Sequence, residues 1–261
     1  MLEQPFADRA GIRICLLGGF RILKGPRPVS VRPGGKVEKL VGTLAFRATE
    51  GVDRDELLGL VWPESDIELA GQSLNSLVHS LTRSLADALS GHPPVVRRAG
   101  RYCLNTDEGV AVDVRQFDAA VDAGDRQSRI GDVGGAIHAY LDAVGLYAGD
   151  LAIGSGVQHL IERERLRARV LSVYAHLGDL HFAAGDYEKT LRSALQLLAC
   201  DPCREDAHRL AMRCYVRVGQ RAQALRQYRI CREVLALEFE ARPEDSTDEL
   251  YRLIRTDPSR V

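Results

Sequence analysis

Hydrophobic residues recur at every third or fourth position through most of this chain, and only near its beginning do they crowd into short runs broken by glycine and proline. The apolar runs 12–17, 20–23 and 29–31 are separated by Gly18-Gly19 and by Lys24-Gly25-Pro26, which predicts a small antiparallel sheet. Over 36–48 the spacing turns helical, with Leu40, Val41, Leu44 and Ala45 on one face. A second helix is expected from Asp53, which has cap-and-N3 spacing with Glu56, to Val61, where Trp62-Pro63 stops it. Ser65 and Glu68 repeat that spacing and open a long helix on which Leu74, Leu77, Val78, Leu81, Leu85 and Leu89 form one apolar stripe. After His92-Pro93-Pro94, Val95-Val96 and Tyr102-Cys103-Leu104 flank a turn at Gly100 and predict a hairpin.

The opposite face of the long helix carries Gln72, Asn75, Ser76, His79 and Arg83. Such side chains donate to and accept from base edges, and an α-helix fits the major groove, so they are candidate base readers, with Arg83 a candidate phosphate contact. The plain alternative is a solvated helix face. The hairpin carries Arg97, Arg98 and Arg101, which suit a wing reaching a phosphate or the minor groove, or else keep a sheet edge soluble. Helix, short corner, long helix and basic hairpin follow one another in the order of a winged helix-turn-helix.

From 115 to 256 the pattern is nearly all helical and it repeats. Gly185, Thr190, Ala194, Leu197 and Pro202 are followed 34 residues later by Gly219, Ala224, Tyr228, Cys231 and Ala236, the tetratricopeptide period. Gly131, Ala136, Tyr140 and Ala143 keep the same internal spacing upstream, leaving room for an inserted stretch at 148–157. Helical pairs of this kind bury their faces by stacking on one another, so Tyr140, Tyr174 and Tyr228 are read as packing residues and the small residues as crossing points.

Composition narrows the function. A chain of 261 residues with 45% hydrophobic content buries a substantial core, but a net charge of -1 argues against a chain-wide polyanion binder. Residues 1–106 hold 14 Lys and Arg against 11 Asp and Glu, a mild excess that implies a modest electrostatic grip on DNA. No apolar run approaches the ~18 residues of a membrane span and no signal-peptide layout opens the chain, so a cytoplasmic protein is expected. The scattered cysteines read as reduced core thiols. Cys200 and Cys203 form a CxxC, for which His208 is the nearest further zinc ligand and a redox pair the other reading. No phosphate loop, GxSxG or HExxH is present, and neither catalysis, cofactor nor metal is expected. The charged run 162–169 is expected to be a solvated, salt-bridged helix face.

The ordered set resembles the Streptomyces antibiotic regulatory protein family. It comprises strands, three helices, a wing ending Gly100-Arg101-Tyr102-Cys103-Leu104, Val112-Asp113-Val114 before Phe117, and repeats closing with Arg221-Ala222-Gln223-Ala224-Leu225-Arg226-Gln227-Tyr228. The resemblance spans about residues 12–256 and includes Asp55-Glu56-Leu57-Leu58 through Trp62-Pro63. It implies a mainly α protein: an OmpR-type winged helix (α+β) domain over 1–111, then an all-α, tetratricopeptide-like bacterial transcriptional activator domain over 112–261. It also implies an activator that binds direct repeats in double-stranded DNA as a homodimer and recruits RNA polymerase holoenzyme, largely through its sigma factor. Trp62, Glu64 and Ser65, between the second and third helices, are the candidate polymerase contact, and the repeats are a candidate seat for a small-molecule effector. Relatives commonly carry Leu-Arg-Arg in the reading helix, whereas Leu81-Thr82-Arg83-Ser84-Leu85 keeps one arginine, which implies fewer phosphate anchors. The alternative function is a protein- or small-ligand-binding repeat module whose winged domain binds DNA weakly or not at all.

Overall fold

The structure, a computed structural model, describes residues 11–48, 50–154 and 156–261; the first ten residues of the expected N-terminal domain lie outside them. Strands β1 (Ile12–Cys15), β2 (Arg21–Lys24) and β3 (Arg27–Val29) form the expected antiparallel sheet. The third strand starts at Arg27 because Gly25-Pro26 is a two-residue turn that sets Lys24 opposite Arg27. A wing follows, β4 (Val95–Arg98) with β5 (Arg101–Leu104), and then a strand that no sequence pattern announced: β6 (Val110–Val112) lies parallel to β1, Ile14 facing Val112. Ile12, Ile14, Ile22, Val110 and Val112 are all buried.

Helices α1 (Lys36–Phe46) and α3 (Ile67–Leu85) cover this sheet's core, Val41, Leu81 and Leu85 meeting Ile12, Ile14 and Ile22 around a small void, and α2 (Arg54–Val61) packs on α1 and α3. Asp53 caps α2 as expected, accepting from Asp55 N at 2.9 Å. The start of α3 differs from expectation. Ser65 is turned into the corner by its N–H, which donates to Trp62 O, and Asp66 becomes the cap, its carboxylate accepting from Glu68 N at 2.8 Å. Asp66 outranks serine here because an anion also meets the helix dipole.

Among the described residues seven α-helices follow: α4 (Asp113–Arg129), α5 (Val133–Leu146), α6 (Val157–Ala183), α7 (Tyr187–Cys200), α8 (Glu205–Arg217), α9 (Arg221–Phe239) and α10 (Asp245–Thr256). The chain packs as two compact units, one of Met1–Asp122 with Gly145–Leu166 and one of Ala123–Val144 with Arg167–Val261. The first is the winged helix. It takes in the later segment through backbone bonds Gly18 N to Asp150 O and Ala152 N to Leu16 O, at 3.0 Å each. The second is the tetratricopeptide-like stack. Gly131, Gly185 and Gly219, the equivalent glycines of the repeat, all adopt φ between 74° and 80°, turning the chain from one helix into the next. Among the described residues no helix is long and apolar enough to cross a membrane.

Small residues set the crossings in the second unit. Gly178 faces Leu210, and Gly124 lies under the ring of Tyr140. Glu205 holds the start of α10, accepting from Glu244 N (2.9 Å) and Thr247 Oγ1 (2.6 Å), while Arg221 donates to Ile254 O and Arg255 O at its other end. Opposite charges thus sit at the ends of α10 that favour them. The 162–169 run is not the solvated face its composition suggests. Arg163, Arg165, Arg167 and Arg169 are half-buried; in the first unit Arg165 forks onto Asp118 at 2.8 and 2.9 Å, and Arg163 donates to Leu151 O. Guanidinium stems pack on apolar surface while their forks find acceptors, so charge alone did not mark this face as wet.

His208 is buried in the second unit. Its Nε2 donates to Pro202 O (2.9 Å), and its Nδ1 accepts from Gln227 (2.7 Å), the arrangement of a neutral ring. Burial holds His208, and likewise His181, below the usual imidazole range. The unfolded ring, titrating near ~6.5, therefore binds more protons than the folded one, so stability is complete above about pH 7 and drains as pH falls below about 6.5. Thermal melts between pH 7.5 and 5 should show that decline, and His208→Gln should flatten it; a parallel decline in both proteins would remove His208 as its source.

Candidate nucleic-acid interface

Ala70, Gly71, Leu74, Leu81 and Leu85 hold α3 in the core of the first unit, with Leu77 and Val78 half-buried beside them. Gln72, Asn75, Ser76, His79 and Arg83 are all exposed. Their spacing of three and four residues puts them in one stripe, and the buried set on the other side fixes which way it points. Among the described residues no carboxylate pairs with Arg83. Leu69 is 62% exposed at the start of the same stripe, an apolar presence that the polar pattern had hidden.

The corner before α3 divides its three candidates. Trp62 is buried, with Lys36 Nζ 5.6 Å from its ring centroid and donating to Val61 O at 2.7 Å, whereas Glu64 and Ser65 are exposed. Indole burial of this kind fixes the corner, and the two polar residues form its outer surface.

In the wing, Ala99 (φ 47°) and Gly100 (φ 85°) make the two-residue turn, both in the left-handed region that matches the twist of a tight hairpin. The hairpin is tied to the body by Val52, which exchanges backbone hydrogen bonds with Tyr102 at 2.9 and 2.8 Å. Arg97 is exposed and lies 5.2 Å over the Tyr102 ring. Arg98 is exposed too, but pairs with Asp107 at 2.5 Å. Arg101 is half-buried, its Nε without a hydrogen-bond partner. The three arginines therefore differ: one is stacked and available, one is answered by an acid, one is partly withdrawn.

A further cation stands at this site unannounced by any motif. Arg54, first residue of α2, lays its guanidinium against α3 at Gly71. A lone glycine inside an amphipathic helix pattern signals a close approach, but nothing along the chain says what approaches.

A family model described as the bacterial transcriptional activator domain matches residues 112–255. The transcriptional regulatory protein MoaR1 of Mycobacterium bovis is 26% identical over 97% of this chain and 86% of its own length. The regulatory protein AfsR of Streptomyces griseus is 26% identical over 96% of this chain, which spans 25% of AfsR. Among solved structures, Mycobacterium tuberculosis EmbR in complex with a low-affinity phosphopeptide has a TM-score of 0.67 at 21% identity, covering 94% of this chain and 65% of EmbR, a likeness of fold.

Proposed function

The chain belongs to the bacterial transcriptional activator domain family, a family of transcriptional regulators, and from that premise we propose that it binds specific double-stranded DNA and activates transcription. In this reading α3 lies in the major groove, Gln72, Asn75, Ser76 and His79 read base edges, and Arg83, Arg97, Arg98 and Arg101 meet the backbone or the minor groove. Residues 1–111 carry DNA binding, and 112–261 serve homodimerisation on direct repeats and the response to a small-molecule effector. Glu64 and Ser65, propped by Trp62, meet the sigma factor of RNA polymerase holoenzyme. The observation that carries the reading is the exposed polar stripe on a helix whose other side is locked into a core.

Footprinting on DNA upstream of the protein's own gene tests it. Arg97→Ala with Arg98→Ala should weaken binding to all sequences alike and lower the slope of log affinity on log salt by about 1 for each phosphate anchor removed. Gln72→Ala or Asn75→Ala should instead change the preference among sites, each base-reading side chain being worth about 1–3 kcal/mol. Identical footprints across all four substitutions would remove the site assignment. The Arg98–Asp107 pair, which neutralises part of the wing, favours the second reading, a repeat module that binds a protein or small ligand; no wild-type footprint at low salt would select it.

A further inference from the structure

The exposed stripe of α3 offers DNA a single arginine, Arg83, although affinity for a duplex is drawn largely from cations at phosphates. A second cation reaches α3 from its neighbour. Gly71 sits on the buried side of α3, in regular helical conformation, where alanine would be the better helix former. A Cβ added there would collide with Nη2 of Arg54 and stand 3.3 Å from its Cζ and 3.9 Å from its Nη1. The glycine is thus a seat for a guanidinium. The Arg54 side chain is nevertheless 38% exposed, and its Nη1 makes only a loose pair, 3.6 Å, with Asp55 Oδ1, on a side chain that is itself 83% exposed. Packing orients the fork while leaving part of it open to solvent.

We propose that Gly71 holds Arg54 at the N-terminal end of the reading helix and that Arg54 anchors a DNA backbone phosphate. In helix-turn-helix docking the first helix crosses the backbone while the second enters the groove, and Arg54 opens the first helix. A planar guanidinium held in one orientation suits two phosphate oxygens at once and loses little freedom on binding. The inference rests on the DNA-binding reading above and deepens it: the charge missing from α3 is supplied by α2.

Gly71→Ala separates this role from a structural one, because the two effects of the substitution have opposite signs. The three nearest atoms all belong to the far end of a flexible side chain, so the helix gains a better former and Arg54 is pushed out. The full chain is titrated with a pool of random 40-base-pair duplexes at several salt concentrations, beside thermal melts. Gly71→Ala should melt about 2 °C higher than wild type, or at the same temperature, yet bind several-fold more weakly. Arg54→Ala should bind about ten-fold more weakly, with the salt slope reduced by about 0.9, and adding Gly71→Ala to it should cost no further affinity. If wild type binds the pool while Gly71→Ala binds equally well, or Arg54→Ala leaves the salt slope unchanged, or the two losses add in full, the inference fails and the DNA-binding reading stands. If wild type shows no salt-dependent binding at all, the reading itself fails and this inference with it.

Discussion

Replacing Asp113 with alanine lowers the stability of the winged-helix unit by about 3–5 kcal/mol, as urea unfolding should show. Asp113 is 2% exposed at the start of α4, and its carboxylate accepts from Leu16 N at 2.9 and 2.8 Å, from Leu17 N at 2.9 Å and from Val114 N at 2.8 Å. Leu16 and Leu17 are themselves fully buried, so no water replaces the lost acceptor. Two buried backbone donors, Leu16 N and Leu17 N, are left unpaired at about 1–3 kcal/mol each, while the half-buried Val114 N–H turns to water at a smaller cost. Burial raises the pKa of this carboxyl while the backbone donors lower it, and burial is the larger effect. Asp113→Asn should recover no more than half of the loss, because its amide turns an NH2 group toward a backbone N–H. A loss under about 1 kcal/mol for the alanine variant would mean that these donors find other partners.

Gly124→Ala should cost the second unit about 3 kcal/mol, at the upper end of ordinary overpacking. The added Cβ would stand 2.5 Å from Cδ1 and 3.0 Å from Cγ of Tyr140, a rigid ring with 1% exposure. The ring cannot swing aside, because its hydroxyl donates to Asp125 Oδ1 at 2.8 Å from the same helix as Gly124. Moving it would strain that hydrogen bond as well as the packing. Coupling gives the sharper measurement: in the Tyr140→Leu background the same glycine substitution should cost less than half as much, and full additivity in thermal or urea unfolding would show that ring and glycine do not oppose each other.

What could be read from the chain follows from how local each cause is. The helices and the wing were legible because their buried faces repeat at a fixed spacing, and the Gly131, Gly185 and Gly219 series was legible because one backbone conformation recurs at three turns. The stripe of Gln72, Asn75, Ser76, His79 and Arg83 was legible for the same reason as the core behind it: one periodicity fixes both sides of α3. Strand β6 was not, since three residues paired in parallel with a strand nearly a hundred positions earlier leave no local signature. Neither was Arg54, whose place depends on α2 lying against Gly71, nor the burial that removes Trp62 from the surface while leaving Glu64 and Ser65 on it. The choice of Asp66 over Ser65 as cap turned on a single hydrogen bond in the corner, within the one-residue latitude that sequence patterns allow.

The backbone bond that ties Leu16 to Ala152, with the bridge between Leu17 and Leu151, has a temporal meaning. During translation the segment at Leu16 and Leu17 emerges and then waits for about 130 further residues, roughly 7–27 s of synthesis, before Leu151 and Ala152 reach it. β1 itself finds β2 and β6 earlier, and Asp113 takes the amides of Leu16 and Leu17, so the groups that stay in water throughout that interval are the Leu16 carbonyl and the Gly18 amide. A nascent chain stalled short of Leu151 leaves those two groups, just past the end of β1, without the partners they have in the folded unit.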